Sequence, residues 1–266
     1  MKPYTVSFIG SGNLAWHLAQ ALDNTEFAVR EVYSRTPAHA SALVGNLYSA
    51  NVMTTPDFSD SPSRIFIMAV TDDAIEGLVR KLTLPPDSIL VHTSGSQPLS
   101  LLGNAPTPKI GVFYPLQTFS KGKRVDFSEV PFFIESEDSE TEKVLVAMGK
   151  AISTKVFKIS SANRQALHVA AVFASNFTNH MLYIAEQVMK ENKLKFDLLK
   201  PLIAETITKS LAVGAEKAQT GPARRGDLEI LDRHLEFLQK DEPVANIYKA
   251  VSQHIVDTYC EPEGED

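Results

Sequence analysis

The segment "VSFIGSGNLAWHLAQAL", residues 6–22, decides the fold. It begins with a short apolar, β-prone run at residues 6–9 and continues, after Gly10-Ser11-Gly12, as a sequence of helical character. Gly10, Gly12 and Ala15 form the pattern G-x-G-x-x-A at this junction. In dinucleotide-binding folds the first glycine makes the tight turn, the second lets the backbone approach a pyrophosphate, and the third position keeps the helix close to the strand.

We therefore predict that this stretch binds a dinucleotide, with the N–H groups and positive dipole end of the helix facing the phosphates. The residues concerned are Gly10, Ser11, Gly12, Asn13 and Leu14. The alternative is a purely structural turn, because glycines at the end of a strand often serve only the backbone. Position, strand and helix all agree with the first interpretation.

The end of the second predicted strand, "REVYSRT", indicates which dinucleotide is bound. An NAD-binding fold usually places an acidic residue there to hold the ribose 2′-hydroxyl. This chain has Ser34, Arg35 and Thr36 instead, and Glu31 lies too early, inside the strand. A guanidinium and two hydroxyls can bind a 2′-phosphate that a carboxylate would repel. The sequence predicts NADP(H), unless Arg35 is only a solvated surface residue.

The chain changes character near residue 159. Before it, short apolar strands alternate with helices, which predicts a doubly wound, mostly parallel α/β sheet of the Rossmann type. Seven strands are expected, within residues 5–10, 28–34, 64–70, 88–94, 109–115, 130–135 and 154–160. We predict a cofactor-binding domain at 1–159, a helical substrate and dimerisation domain at 160–260, and a disordered acidic tail at 261–266.

Four helices are expected in the second half. The first spans about 162–191, the second runs from Asp197 to just before Gly221-Pro222, and the others cover 227–239 and 242–260.

Composition excludes several classes of function. The 266 residues carry a net charge of −6 and a pI near 5.7, which is against a broad nucleic-acid interface. No apolar run approaches membrane-spanning length, and the N-terminus has no signal-peptide pattern. One cysteine, Cys260, cannot form an intramolecular disulfide, and the histidine spacing does not suggest a metal site. We expect a cytoplasmic protein without a metal.

Three segments, "FIGSGNLA", "YSRT" and "MAVTDDAI", resemble the N-terminal domains of pyrroline-5-carboxylate reductase, 6-phosphogluconate dehydrogenase, the β-hydroxyacid dehydrogenases and the deazaflavin-dependent NADP reductases. More narrowly, the chain resembles a family with a Rossmann-like domain and a helical C-terminal domain of unknown function (DUF2520-like), of the 6-phosphogluconate dehydrogenase C-terminal type. That resemblance is carried by "VHTSG" at 91–95, "YPLQTF" at 114–119, "HVAAVFASNF" at 168–177 and "TGPARRGD" at 220–227.

The resemblance implies that Ala69, Val70 and Thr71, at the end of the strand expected at 64–70 and directly after it, border the cofactor. It also implies a homodimer formed by the C-terminal helices. One departure is the tyrosine at position 114, where the family pattern leads us to expect histidine. A function that requires an imidazole at that position is therefore in doubt. Asp72, next to the cofactor loop, is either a ligand or the N-cap of the following helix.

Candidate chemistry follows from two further segments. Thr93, Ser94 and Gly95 are expected beside the nicotinamide and the reacting carbon, or else form only a turn into a helix. His168 and Asn176 stand eight residues apart, so both can face one cleft between the domains. His168 is the candidate general acid/base, because imidazole titrates near neutral pH, and Asn176 would hold the substrate heteroatom. His168 is otherwise a satisfied core residue.

Substrate contacts are predicted at Tyr114, Gln117 and Arg225. Arg225 could equally form an ion pair at a subunit contact. We interpret the chain as an NADP(H)-dependent oxidoreductase that transfers hydride to or from a small C=O or C=N substrate. The alternatives are a non-catalytic NADP(H) sensor and, less well matched, an activity like that of prephenate dehydrogenase.

Overall fold

A computed structural model describes residues 4–260, which form two compact units divided between Asn176 and Phe177. The expected tail at 261–266 lies outside the described residues. The first unit has an eight-stranded sheet in the order β3-β2-β1-β4-β5-β6-β7-β8. The strands are β1 Thr5–Ile9, β2 Ala28–Tyr33, β3 Asn51–Met53, β4 Ile65–Met68, β5 Ile89–His92, β6 Lys109–Pro115, β7 Phe132–Glu135 and β8 Val156–Lys158.

The predicted Rossmann fold is confirmed. All seven expected strands are present, and every pairing is parallel except β6 with β7. The strand that the sequence did not indicate is β3, which has only three residues at the edge of the sheet. Three residues are too few to show the alternation by which a strand is identified.

Helices cover both faces of the sheet, which is why the central strands are apolar on both sides. They are α1 Asn13–Asp23, α2 Pro37–Val44, α3 Asp72–Val79 and α4 Ser139–Lys150. One face packs on α1, α2 and α4 through residues such as Leu18, Leu43 and Leu145. The other face packs on α3 through Ile75 and Val79. The sheet order reverses between β1 and β4, so a crevice opens at their carboxyl ends.

The helix expected at 162–191 is present, but it is not uniform. Its parts are α5 Ser161–Ala171, a π-helical segment Val172–Phe177, and α6 Thr178–Glu191. The first unit ends at Asn176 and so contains α5. Short π-helical insertions occur frequently at functional sites, and this one contains Asn176.

The second unit continues with α7 Lys200–Val213, α8 Ala215–Ala218, α9 Pro222–Arg225, α10 Leu228–Leu238 and α11 Glu242–Tyr259. The second expected helix ends early because Gly214 adopts φ +89°, a conformation that breaks the helix. Among the described residues of this unit only Ala223 and Leu231 are buried hydrophobic side chains. No helix in the described part of the chain is both long and apolar enough to cross a membrane.

Candidate functional site

The two glycines of the turn after β1 have different surroundings. Gly10 adopts φ +113°, and its N–H donates to the carbonyl of Tyr33 at 2.8 Å. A Cβ at this position would lie 2.2 Å from the backbone oxygen of Ala69. Gly12 has an ordinary φ of −71°, and a Cβ there would meet nothing within 4 Å. Gly10 is therefore required for packing, whereas Gly12 keeps an open space free.

No side chain caps the N-terminus of α1, and no acidic side chain lies in its first turn. The N-cap residue is Gly12. Ala15 is fully buried, which allows α1 to lie close to the strands, as the sequence predicted. The free amides at this helix end are suited to binding an anion.

A cavity of about 850 Å³ opens over this turn. It brings together every residue predicted to bind the cofactor except Gly95: Gly10, Ser11, Gly12, Asn13, Leu14, Ser34, Arg35, Thr36, Ala69, Val70, Thr71 and Thr93. No Asp or Glu occurs among the described residues that line it, whereas three cations do, Arg35, Lys81 and Lys121. The two lysines were not predicted from the sequence. The cavity is shaped and charged for a ligand with several phosphates.

Two carboxylates close to the cavity in sequence, those of Glu31 and Asp72, do not line it and are hydrogen-bonded to serine hydroxyls. Glu31, inside β2, is buried and accepts hydrogen bonds from the hydroxyls of Ser7 and Ser61. Asp72 does not cap α3, because Thr71 takes the N-cap position. The Asp72 carboxylate instead accepts a hydrogen bond from the Ser96 hydroxyl at 2.5 Å. Its interpretation as an N-cap is therefore wrong, and Asp72 anchors the loop after β5.

A second group of side chains lies at the carboxyl end of β5 and β6. The Tyr114 hydroxyl and His168 Nδ1 are 3.0 Å apart, which joins β6 to α5 by a hydrogen bond. Gly95 packs beneath this pair, since a Cβ there would lie 2.5 Å from His168 Nδ1 and 2.7 Å from Tyr114 Cζ. Burial raises the pKa of Tyr114, so its hydroxyl stays protonated at neutral pH. The close packing explains a glycine at position 95.

Arg164 holds the backbone of the loop after β5 in place. It was not predicted as a site residue from the sequence. It is fully buried, and its guanidinium donates to the carbonyls of Ser94 at 2.9 Å and Gly95 at 3.2 Å. It also forms an ion pair with Glu135 at 2.9 Å, whose carboxylate accepts from the N–H and hydroxyl of Ser161 at the start of α5. Arg164 therefore ties the loop after β5 to α5.

His92, the last residue of β5, is a further group that the sequence did not indicate. It is fully buried, and its Nδ1 accepts from the N–H of Ser94 at 3.2 Å. Burial, with a smaller contribution from the Arg164 charge, lowers the pKa of His92 to about 4. His92 is therefore neutral at physiological pH and can accept this hydrogen bond.

Three other residues were predicted to contact the substrate. Asn176 is exposed in the π-helical segment. Gln117 is exposed after β6, and its side-chain oxygen accepts from the N–H of Thr118. Arg225 belongs to the second unit and forms an ion pair with Asp227 at 2.8 Å.

Comparisons with known proteins identify relatives of this chain. A family model described as "Domain of unknown function (DUF2520)" matches residues 130–255. The chain is 36% identical to a "putative NADP oxidoreductase" from Bacteroides fragilis, covering 96% of this chain and 99% of that one, with a TM-score of 0.85. No curated protein matches the sequence.

Two more distant structures share the fold. A reductive aminase from Aspergillus terreus, solved with NADPH and ethyl-5-oxohexanoate, is 15% identical over 96% of this chain and 94% of that one, with a TM-score of 0.69. A pyrroline carboxylate reductase from Plasmodium falciparum, solved with NADP, is 14% identical over 98% and 97%, with a TM-score of 0.55.

Proposed function

Because this chain belongs to the family of Rossmann-type NADP oxidoreductases that carry the DUF2520 domain, we propose that it transfers hydride between NADP(H) and a small substrate with a C=O or C=N bond. The observation that carries the proposal is the cavity over the β1–α1 turn. It contains the uncapped N-terminus of α1 and three cationic side chains, and no carboxylate occurs among the described residues that line it. The cofactor supplies the hydride when bound, so the protein must supply position and one proton.

The cofactor is NADP(H) rather than NAD(H). Arg35 is exposed, lies directly after β2 and lines the cavity with Ser34 and Thr36. Glu31, the acidic residue of that strand, is buried against serine hydroxyls and does not line the cavity. A 2′-phosphate at this place meets a guanidinium and two hydroxyls without a repelling carboxylate.

The exchange Arg35→Asp tests this assignment. We expect the wild-type chain to bind NADPH at least about tenfold more tightly than NADH, since a hydrogen bond to a charged group contributes about 1.5–3 kcal/mol. Arg35→Asp removes that contact and adds repulsion, so the preference should reverse. Calorimetric Kd values for both nucleotides measure this. Equal wild-type affinities for NADPH and NADH would end the assignment.

For the proton we propose His168, with Tyr114 as the residue that orients it. Nδ1 of the imidazole is bonded to Tyr114, which leaves Nε2 to carry the transferred proton. In reduction, the imidazolium Nε2–H gives its proton to the substrate oxygen or nitrogen as hydride reaches carbon. Oxidation runs the same steps backwards, and the neutral imidazole accepts the proton. Ser94 and Asn176 are proposed to hold the substrate heteroatom, with Gln117 and Arg225 as further substrate contacts.

His168→Ala is expected to lower kcat by about 10²–10⁴-fold, the usual contribution of a general acid, while the Kd for NADPH stays within about twofold. Tyr114→Phe should have a smaller effect, because it removes the hydrogen bond that orients the His168 imidazole but leaves that imidazole in place. His254→Ala, an exposed histidine of α11, is the matched control. Turnover is followed by NADPH oxidation with a panel of carbonyls and imines. Unchanged turnover in His168→Ala excludes it from the mechanism, and tight binding without any oxidation favours a nucleotide sensor.

We also propose that the chain forms a homodimer through its C-terminal helices. The second unit exposes many large apolar side chains, such as Leu198, Leu202, Leu211 and Phe237, and buries two hydrophobic residues among those described. Such an uncovered apolar surface is typical of an interface between subunits. Light scattering should give twice the 29.2 kDa mass of one chain.

A further inference from the structure

We infer that Lys121 binds the diphosphate of NADP(H), and that in the free protein its ammonium is held over the ring of Trp16. This inference rests on the proposed cofactor and adds a binding residue from outside the G-x-G-x-x-A turn. The residue lies in the segment 116–128, which follows β6 and precedes β7.

The backbone before Lys121 is attached to the first turns of α1. The Asn13 side-chain amide donates to the carbonyl of Phe119 at 3.1 Å, and His17 Nε2 donates to the carbonyl of Ser120 at 2.9 Å. The ring of Phe119 also stacks on that of His17, with centroids 6.1 Å apart. These contacts place Lys121 beside the helix end whose amides are free.

Lys121 lies between the cofactor cavity and a second groove, and it lines both. It lines the cavity together with Gly12 and Asn13, and the groove along α1 together with Trp16 and His17. Its ammonium lies 5.0 Å from the centroid of the Trp16 ring. Lys121 is exposed and forms no ion pair with any described residue.

The electrostatics favour transfer of this ammonium to a diphosphate. An exposed cation–π contact is weak, whereas a hydrogen bond from an ammonium to a phosphate oxygen is charge-assisted and stronger. The α1 N-terminus contributes only partial charges. A full positive charge at Lys121 adds to these partial charges. The two residues that precede Lys121 are hydrogen-bonded to α1, which places this cation at that helix end.

Lys121 and Arg35 come from opposite sides of the site. Arg35 follows β2, on one side of β1, whereas the segment of Lys121 follows β6, beyond β4 and β5 on the other side. We therefore assign the 2′-phosphate to Arg35 and the diphosphate to Lys121. Because the diphosphate is common to NADPH and NADH, loss of the Lys121 charge should weaken the binding of both, whereas the contact of Arg35 with the 2′-phosphate is available only to NADPH.

The test uses the full-length chain with Lys121→Met, which keeps an apolar stem over Trp16 but removes the charge. We expect the calorimetric Kd values for NADPH and NADH both to rise by about tenfold and by the same factor, which corresponds to about 1.4 kcal/mol. Lys123→Met, an exposed lysine in the same loop, is the matched control and should change neither Kd by more than about twofold.

Trp16 provides a second readout, because it is the only tryptophan in the chain. Saturation with NADP⁺ should change its emission in the wild-type protein as the ammonium leaves the ring, and this change should be absent in Lys121→Met at saturating nucleotide. Wild-type Kd values in Lys121→Met overturn the inference. A loss for NADPH alone also overturns it, since the contact would then be with the 2′-phosphate. If the wild-type chain binds neither nucleotide, the proposed function itself fails.

Discussion

Gly10→Ala is expected to destabilise the first unit by about 2–6 kcal/mol and to remove NADPH binding with it. The new Cβ would lie 2.2 Å from the backbone oxygen of Ala69, and the φ of +113° is strained for any residue with a side chain. Backbone strain of this kind costs about 1–3 kcal/mol, and overpacking a filled site costs about 1–3 kcal/mol more. Neither cost can be relieved by a rotamer change, because both involve the backbone.

Thermal unfolding measures this effect, and Gly12→Ala is its matched control. A Cβ at Gly12 meets nothing within 4 Å and the φ is −71°, so the Tm should stay within about 3 °C of wild type. In the proposed placement of the cofactor, the same methyl group projects where the pyrophosphate approaches, so the Kd for NADPH should rise at least about 100-fold, or about 2.7 kcal/mol. A Gly12→Ala chain with wild-type affinity would contradict the proposed placement of the cofactor.

Glu135→Gln is expected to lower the free energy of unfolding by about 3–5 kcal/mol, because it leaves the fully buried guanidinium of Arg164 without its counter-charge. The carboxylate lies 2.9 Å from that guanidinium and is only 16% exposed. Urea unfolding followed by circular dichroism gives the loss. Turnover should fall as well, since Arg164 holds the backbone of Ser94 and Gly95.

The matched control is Glu129→Gln. It makes the same chemical change in an ion pair with Lys155 whose side chains are 71% and 47% exposed. Exposed pairs contribute about 0–1 kcal/mol, so the urea midpoint should hardly move. Equal losses in the two variants would show that burial of the Glu135–Arg164 pair has no special importance for stability.

The cofactor half of the site could be predicted from the sequence because its signals are local. The strand, the glycine turn and the helix follow one another within residues 5–23, and the strand ends and helix starts that complete the cavity are equally short segments. Parallel strands bring such ends to one edge of a sheet, so most residues predicted at these ends line the cavity. Lys81 and Lys121 lie outside these local signals and were not predicted. The short strand β3 was not predicted, because three residues are too few to show an alternation of apolar and polar side chains.

The second half of the site depends on contacts that no local pattern contains. Tyr114 and His168 are 54 residues apart, and Arg164 reaches Ser94 across 70 residues. The sequence could indicate Tyr114, Ser94 and His168 individually, yet it could not show that a buried arginine joins the segment of Ser94 to the helix of His168. One sequence feature could have indicated Arg164: it lies four residues before His168, so both side chains fall on one side of α5.

The end of the first unit at Asn176 has an evolutionary consequence. The imidazole of His168, its tyrosine neighbour and the nucleotide cavity all belong to one compact body, built before the remaining helices begin. The cavity and the proposed proton donor are then inherited as one module. Mutations that accumulate after residue 176 fall outside this body, so descendants of this scaffold can vary their second unit while the Tyr114–His168 pair and the cavity are retained.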